Sequence, residues 1–376
     1  MAKWTEYELG ELLSYEQPTP YIVESTDYSD SYDTPVLTAG KSFIIGYTNE
    51  TSGIYDNLPV IIFDDFTTST QYVNFPFKVK SSAMKILTAN TELVIPKFIF
   101  YRMQIIEFDH STHKRYWIQQ YSKIKVKIPP IPEQEKIVAK FEELFSELDN
   151  GVETLKKTKQ QLAIYRQAVY ASVYQENDMR PITDFFEVSG GLTKNSKRNE
   201  LSLKMPYLRV ANVYYNELDL SEIKFIGVSE NEVQKTTLKK DDLLFVEGNG
   251  SKEQIGRVAM WDESIENCLH QNHLIKGRPL GNMLPQYALF YLISAHGRKQ
   301  ILRVASSTSG LYTLSTNKVR NLLIPFVDIE NQKQCISIIE ERLSVCDSIE
   351  KAVNIALQQA EAMRQSILKK AFEGGL

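Results

Sequence analysis

The sequence lacks most of the features that would mark a secreted protein or a membrane protein. Its 376 residues include only 3 cysteines, Cys268, Cys335 and Cys346. So few cysteines give no disulfide framework, and we expect reduced thiols in the core. The chain also lacks a run of about 18 consecutive apolar residues, the length that crosses a bilayer. Its first residues lack the apolar core of a secretion signal, so we expect a cytoplasmic protein that makes no membrane contact.

Motifs for nucleotide, metal or methyl-transfer chemistry are missing as well. The glycine-rich stretch 248–256 fits neither the P-loop nor the dinucleotide-binding spacing, which favours a turn between strands. Cys268, His270 and His273 lie close together, but their spacing indicates no fourth ligand for a closed zinc site. No Asp/Asn-Pro-Pro-aromatic tetrapeptide of a base methyltransferase occurs. We therefore expect no catalytic residue, no metal and no cofactor in this chain.

The balance of charge changes along the chain. The formal net charge of −4 argues against a surface that binds nucleic acid everywhere. Residues 1–127 carry 12 Lys and Arg against 15 Asp and Glu, whereas residues 179–323 carry 19 against 15. The second segment is basic, so a local electrostatic footprint for a nucleic acid is expected there.

What the sequence does contain is one segment that occurs twice, at an offset of 198 residues. Each copy has a proline near its start and continues as a helical pattern, and the offset aligns Gln134 with Gln332, Asp149 with Asp347, Gln160 with Gln358 and Arg166 with Arg364. Self-similarity at a fixed offset indicates a repeated structural unit. The chain is therefore predicted to divide into a globule (1–127), a helix (128–178), a second globule (179–323) and a second helix (324–376).

The two predicted helices carry the heptad period of a coiled coil. The seam positions are Phe141, Leu144, Leu148, Gly151, Leu155, Thr158, Leu162, Tyr165 and Val169 in the first copy, and Ile339, Arg342, Cys346, Ile349, Val353, Ala356, Ala360, Met363 and Ile367 in the second. Small residues such as Gly151 are expected to let the backbones approach closely. We predict an antiparallel pair with a globule at each end, related by a pseudo-two-fold axis. A coiled-coil hairpin of a protein scaffold would show the same pattern.

Both globules are predicted to be α+β, with strands first and a helix at the back. Apolar runs that favour strands occur at 35–38, 43–47, 58–63 and 75–80 in the first globule, and at 206–210, 242–246 and 255–260 in the second. Helices are predicted over 96–107 and 285–302.

Short polar runs in the globules supply the side chains that can read a nucleic acid. Lysine and arginine neutralise phosphates, whereas Ser, Thr, Asn, Gln and His can hydrogen-bond to base edges. The runs contain Thr67, Thr68, Gln71, Tyr72, Lys194, Asn195, Lys197, Arg198, Gln271, Asn272, His273, Ser307 and Thr308. An ordinary solvated surface is the alternative for each of them.

The chain resembles the specificity subunit of a type I restriction-modification system over nearly its full length. The motifs that carry the resemblance are IPPIPEQEKI at 128–137, LIPF at 323–326 with Glu330 and Gln332, YLRVAN at 207–212, LKKDDLLF at 238–245, AFEGGL at 371–376, and PVLTAGK and GYT at 35–41 and 46–48. The proline-glutamine helix start is a fairly specific signal because it appears twice.

This resemblance implies two target-recognition domains, each reading one half of a bipartite site on double-stranded DNA. It implies that the helices set the spacing and dock two DNA adenine methyltransferase subunits, which bind S-adenosylmethionine, and that restriction/translocase subunits using ATP join the complex. Its motifs add Thr38, Lys41, Tyr47, Arg209 and Asn212 to the candidate DNA contacts, and Asn249, Ser251, Gln254 and Arg257 in and after the glycine-rich turn are further candidates. A stand-alone DNA enzyme and a coiled-coil adaptor that binds proteins alone are the competing hypotheses.

Overall fold

The computed structural model describes residues 4–38, 42–109, 115–174, 178–308 and 310–373. The chain forms two compact units: unit 1 comprises Met1–Lys156 and Asn354–Leu376, and unit 2 comprises Lys157–Val353. Each unit contains one globule and a part of each long helix. None of the described helices combines the length and the apolar composition needed to cross a membrane. The four segment boundaries predicted from the sequence remain predictions.

The globule of unit 1 is built on two sheets with a helix behind them. Its elements are β1 Thr5–Glu8, α1 Leu9–Leu12, β2 Leu13–Glu16, β3 Thr34–Leu37, β4 Ile44–Thr48, β5 Val60–Asp64, β6 Thr70–Val73, β7 Lys78–Val79, β8 Met84–Ala89, α2 Pro96–Met103, α3 Tyr116–Gln119 and β9 Lys125–Ile128. The larger sheet has the order β2-β8-β5-β6, the smaller has the order β4-β3-β7, and β1 pairs with β9.

Strand β5 shows why the larger sheet is covered on both faces. Successive side chains of a strand point to opposite faces. Ile61 and Phe63 pack in the cluster that contains α2, whereas Val60 and Ile62 pack in a second cluster on the other face. Because both faces are buried, the strand reads as a continuous apolar run in the sequence.

Helix α4 Ile131–Val173 follows, and the second globule lies after it. Its elements are β10 Met179–Pro181, β11 Phe186–Gly190, β12 Lys204–Leu208, β13 Lys224–Gly227, α5 Glu230–Thr236, β14 Leu243–Val246, β15 Gly248–Asn249, β16 Val258–Met260, β17 Leu269–His270, β18 Leu274–Pro279, α6 Pro285–Ile293, α7 Ala295–Val304, β19 Ser306–Thr308, β20 Leu311–Thr313, α8 Thr316–Arg320 and β21 Leu323–Pro325. Helix α9 Ile329–Phe372 ends the described chain.

The two globules share one topology, which the sequence did not reveal. In unit 2 the larger sheet has the order β11-β18-β14-β16 and the smaller has the order β13-β12-β17. These orders match those of unit 1, including the parallel pair, β3 with β7 in unit 1 and β12 with β17 in unit 2. The chain therefore repeats the fold of the globule as well as the long helix, although the sequence repeat is visible only in the helix.

The predicted helix over 285–302 is two helices. Ser294 adopts an extended backbone between α6 and α7, and its hydroxyl accepts a hydrogen bond from the backbone N–H of Gly297. A Cβ on Gly297 would lie 2.2 Å from the carbonyl oxygen of Tyr291. The tight turn between α6 and α7 needs this glycine. The helix is interrupted there, although the sequence pattern predicts one continuous helix.

Within each unit, α4 and α9 pack antiparallel. In unit 1, the Phe141 and Phe372 rings lie 5.6 Å apart, and Asp149 pairs with Arg364 further along. In unit 2 the guanidinium of Arg166 contacts Asp347 at 2.7 Å, and that of Arg342 donates to the hydroxyl of Ser172 at 3.3 Å. Residue numbers rise along one helix as they fall along the other, so the prediction of an antiparallel coiled coil is confirmed.

The predicted seam is partly wrong. Phe141, Leu162 and Val169 are buried, as are Ile339, Cys346, Val353 and Ala360, but Tyr165 is 49% exposed and Met363 is 55% exposed. No atom outside its own helix lies within 4 Å of the position that a Cβ of Gly151 would occupy, so the predicted close approach of the two backbones does not occur there. An α-helix drifts by about 20° per heptad, and this drift moves a fixed frame off the contact.

Candidate nucleic-acid interface

A small sheet in unit 2 carries three polar side chains in one row. Strand β20 pairs with β19 on one side and with β15 on the other. The register places Tyr312 opposite both Asn249 and Ser307. Directly opposite residues of antiparallel strands share a face of the sheet, so these three side chains are neighbours. Ser307 is exposed, and Thr308 is the last residue of β19.

The turn formed by Gln271, Asn272 and His273 adjoins this sheet. The carbonyl oxygen of His273 accepts a hydrogen bond from the backbone N–H of Glu247 at 2.9 Å, and its Nδ1 lies 3.0 Å from the Glu247 carboxylate. Glu247 directly precedes β15. The imidazole of His273 is more than half exposed, so the turn presents a polar group beside Asn249.

The opposite side of the same turn contacts the loop that follows β11. Asn272 donates its backbone N–H to Leu192 at 2.9 Å, and Leu192 donates to the carbonyl of His270 at 2.9 Å. Gly191 makes this approach possible, because a Cβ there would lie 2.3 Å from the carbonyl oxygen of His270. The loop and the turn therefore form one continuous surface.

Arg198 anchors that loop, and two lysines remain exposed on it. The guanidinium of Arg198 pairs with Glu232 at 2.7 Å and donates to the carbonyls of Thr193 and Gly227. Its hydrogen bond lowers the pKa of Glu232 to about 2. Lys194 and Lys197 are exposed, as is Asn195, and within the described residues neither lysine makes an ion pair. The loop thus presents two cations whose charge is not neutralised nearby.

We call this surface the unit 2 polar face, and define it as Lys194, Asn195, Lys197, Asn249, Gln271, Asn272, His273, Ser307 and Tyr312. It combines cations, amides, an imidazole and hydroxyls on adjoining turns of one basic globule. That inventory can bind phosphates and hydrogen-bond to base edges. Tyr312 is not predictable from the sequence, because no local pattern indicates the hairpin that brings it opposite Asn249.

The structure uses several other candidate residues of unit 2 internally. Asn212 is 2% exposed, and its side-chain amide donates to the carbonyls of Asp219 and Glu222. Arg209 pairs with Glu222 at 2.9 Å. These side chains, like that of Arg198, are therefore engaged in contacts within the protein.

The candidates in and just after the glycine-rich stretch form hydrogen bonds within this segment. Arg257 is 7% exposed; it donates to Gln254 and to a carbonyl, and it stacks over the ring of Tyr214 at 4.7 Å. Ser251 donates its hydroxyl to Glu253 and its backbone N–H to the side-chain oxygen of Asn249. Ser251 therefore supports the side chain of Asn249, and Gln254 and Arg257 bond to each other.

The candidates of unit 1 lie in two different sheets. Thr38 sits in the turn between β3 and β4, where its hydroxyl donates to Ser42 at 2.8 Å, and Tyr47 lies on β4. Tyr47 lines a groove of about 450 Å³ together with Pro35 and Phe75. Lys41 lies outside the described residues.

The other candidates of unit 1 belong to the β5–β6 hairpin. Asp64 accepts the backbone N–H of Thr67 at 2.9 Å, and Thr68 has a left-handed backbone with φ +56°. Gln71 is half-buried on β6. Tyr72 packs against Phe100 with 5.8 Å between ring centroids, and burial raises the pKa of its phenol. Tyr72 therefore faces α2, while the threonines remain at the hairpin turn.

His270, one of the three residues close enough in sequence to suggest metal ligands, is a core residue. Its Nδ1 lies 3.0 Å from the carbonyl oxygen of Thr236, and its Nε2 is buried without a hydrogen-bond partner among the described residues. Burial and the nearby Lys276 lower its pKa to about 3. Burial likewise raises the pKa of the Cys268 thiol to about 12. Among the described residues, no group of three or more His, Cys, Asp or Glu side chains is placed to hold a metal ion.

Comparison with known proteins identifies the family. A sequence model described as the type I restriction modification DNA specificity domain matches residues 1–162 and 174–359. The chain is 32% identical to the EcoR124I/EcoR124II specificity subunit of Escherichia coli, an alignment that covers 94% of this chain and 90% of that protein. It is 29% identical to the EcoKI specificity subunit of Escherichia coli K12, with 67% of this chain and 58% of that protein covered.

Solved structures show the same fold. One chain, from work on complex assembly and conformational transition of the type I restriction-modification system, has a TM-score of 0.71 at 15% identity and matches over 100% of both chains. The HsdS subunit of Thermoanaerobacter tengcongensis has a TM-score of 0.50 at 16% identity, covering 99% of this chain and 97% of that one. On the strength of the family match and of the 32% identity across nearly the whole chain, this protein belongs to the type I restriction-modification DNA specificity family.

Proposed function

We propose that this chain is the non-catalytic subunit that recognises DNA for a type I restriction-modification complex, and that each globule reads one half of a bipartite target. The observation that carries this proposal is the occurrence of one two-sheet topology in two units whose exposed turns differ in sequence. Two globules with the same fold but different exposed turns can recognise two half-sites of different sequence. A scaffold protein would have no need of differing polar turns.

In this proposal the unit 2 polar face reads the half-site assigned to residues 179–323. Lys194 and Lys197 would contact phosphates, and Asn249, Gln271, Asn272, His273 and Ser307 would meet base edges. Thr38, Lys41, Thr67 and Thr68 would contact the other half-site. Each good bidentate contact is worth about 1–3 kcal/mol of discrimination, so a few contacts suffice for each half.

The two long helices would set the spacing between the halves and dock two DNA adenine methyltransferase subunits. Those partners would bind S-adenosylmethionine, and restriction/translocase subunits that use ATP would join them in the cytoplasm. The acidic balance of residues 1–127 fits partners that supply part of the phosphate neutralisation. We therefore expect weak, salt-sensitive DNA binding by this chain alone, and tight, specific binding by the complex.

The test is an exchange of one globule. Residues 1–127 are replaced with the corresponding segment of a relative, and methylated adenines are mapped genome-wide in cells that carry the hybrid with its methyltransferase. One half of the motif should change and the other should stay. A motif that changes in both halves, or in neither, would refute the division of labour, and absence of any sequence-dependent footprint would favour the adaptor hypothesis.

A second measurement addresses catalysis. The purified chain is incubated with duplex DNA and labelled S-adenosylmethionine, with the methyltransferase complex as the positive control. No label should reach the DNA from the chain alone. Transfer by the isolated chain would overturn the non-catalytic assignment.

A further inference from the structure

A buried glutamine ties the globule of unit 1 to the start of α4. Gln134 lies in the first turn of α4 and is 0% exposed. Its Oε1 accepts the backbone N–H of Ile95 at 2.8 Å, and its Nε2 donates to the carbonyls of Leu93 at 3.0 Å and Pro129 at 2.8 Å. One side chain therefore bonds to the loop before α2 and to the segment that leads into α4.

Gln332 makes the same connection in unit 2. It lies in the first turn of α9 and is also 0% exposed. Its Oε1 accepts the backbone N–H of Leu284 at 2.8 Å, and its Nε2 donates to the carbonyl of Val327 at 2.8 Å. Leu284 precedes α6 just as Ile95 precedes α2.

The local sequence explains why a distant amide is needed at these places. Helices α2 and α6 both begin with proline after an apolar N-cap residue, Ile95 or Leu284, and neither N-cap side chain makes a capping hydrogen bond. The backbone groups at the start of such a helix must still find partners if they are buried. The glutamine Oε1 accepts a hydrogen bond from the backbone N–H of the N-cap residue, Ile95 or Leu284. Its Nε2 donates to a carbonyl just before the long helix, that of Pro129 or Val327.

This arrangement constrains orientation because a hydrogen bond weakens steeply as its angle departs from linear. A primary amide has its donor and its acceptor in one plane. Rotation of the globule about the helix start would break the bond on one side or the other and leave a buried polar group unpaired. In each unit, this glutamine therefore adds a directional constraint to the packing that joins the globule to the long helix.

We propose that Gln134 and Gln332 are positioning residues that hold each globule at a fixed angle on its helix and so determine which spacer length the complex accepts. This rests on the proposed function. Neither side chain would touch DNA, since both are fully buried.

The experiment uses the full chain in complex with its methyltransferase and a series of duplexes. Both half-sites are kept constant while the spacer is lengthened or shortened by one base pair at a time. The variants are Gln134→Met and Gln332→Met, which keep the side-chain volume and remove both kinds of hydrogen bond. Gln119→Glu, at an exposed position of α3, is the control.

We expect each methionine variant to discriminate less between spacer lengths. The ratio of its affinities for the best and the next-best spacer should fall about fivefold or more, as the loss of a buried hydrogen bond would allow. Preferred bases in both half-sites should stay the same. Gln119→Glu should retain all of the spacer preference. Thermal unfolding verifies that each variant is folded. If Gln134→Met does not fold, Gln332→Met decides the question.

The outcomes separate this inference from the proposed function. Folded variants that keep the original spacer preference, or that lose affinity equally for every spacer, would overturn the positioning role. A wild-type complex that shows no preference among half-site sequences would instead reject the proposed function.

Discussion

Arg166 in α4 donates a hydrogen bond to Asp347 in α9 at 2.7 Å and another to Glu350 at 2.9 Å. Addition of 198 to Arg166 gives Arg364, and subtraction of 198 from Asp347 gives Asp149, and these two residues pair in unit 1. Each long helix thus supplies the arginine in one unit and the aspartate in the other. The repeat of the sequence becomes a reciprocal contact in the structure.

A double-mutant cycle on Arg166→Ala and Asp347→Ala tests this contact. Asp347 is mostly exposed, so solvent screens the pair, and we expect a coupling of about 0.5–1 kcal/mol that shrinks at high salt. Urea unfolding of the four proteins gives the value. The same cycle on Arg364 and Asp149 should agree in sign, and a coupling of zero in both units would show that the pairs do not stabilise the helix contact.

Asn249→Ala should weaken recognition of one half-site. The change removes an amide from the polar row formed with Tyr312 and Ser307. In the complex with the methyltransferase, the free energy of binding to the target should weaken by about 1–3 kcal/mol. Base changes in the other half of the DNA target should reduce the affinity of the variant as much as they reduce that of the wild type. Competition binding on single-base variants of the target measures this. Asn321→Ala, exposed elsewhere in unit 2, should bind like the wild type.

Lys194→Gln combined with Lys197→Gln should weaken binding to all sequences alike. Both side chains are exposed cations, and a cation that contacts phosphate releases counterions. The slope of log affinity against log salt should therefore fall by about 2 for the pair. Titrations at several salt concentrations measure the slope. Lys299→Gln, exposed on α7, is the control, and a slope unchanged in the double variant would exclude these lysines from the DNA interface.

His270 should make unit 2 sensitive to acid. Its pKa is lowered from its ordinary value of 6.5 to about 3, mainly by burial. Between these values the unfolded chain binds a proton that the folded chain does not, so stability falls as the pH decreases through this window. The loss from this residue is at most about 1.4 kcal/mol per pH unit.

His270→Gln isolates the effect, because glutamine does not titrate and can still donate to the carbonyl of Thr236. The free energy of unfolding of both proteins is measured in urea at several pH values. Below pH 6.5 the wild type should lose stability relative to the variant as the pH falls. A pH-independent difference would mean that the imidazole is hydrated or protonated in the folded protein.

The sequence predicted the elements that local pattern determines. The starts of β3 and β5 and the first residue of α2 lie within about two residues of their predicted positions. The hairpin of β19 and β20 was not predicted as strands, because a polar run such as 306–310 has no apolar alternation. Tyr72 and Arg198 read as surface residues in the sequence, yet one packs against Phe100 and the other bonds to Glu232. Both contacts join residues at least 28 positions apart, and no local pattern reports them.

By itself the sequence determined the two long helices, their shared register and the family, because a repeat at fixed offset, a heptad period and a set of motifs can be recognised from the order of the residues without knowledge of any contact. The tertiary structure decided that the globules share one topology, that Asn249, Tyr312 and Ser307 form a row, and that Gln134 and Gln332 join globule to helix. These features depend on hydrogen bonds and strand pairings between segments distant in the sequence, and such pairings exist only once the chain has folded.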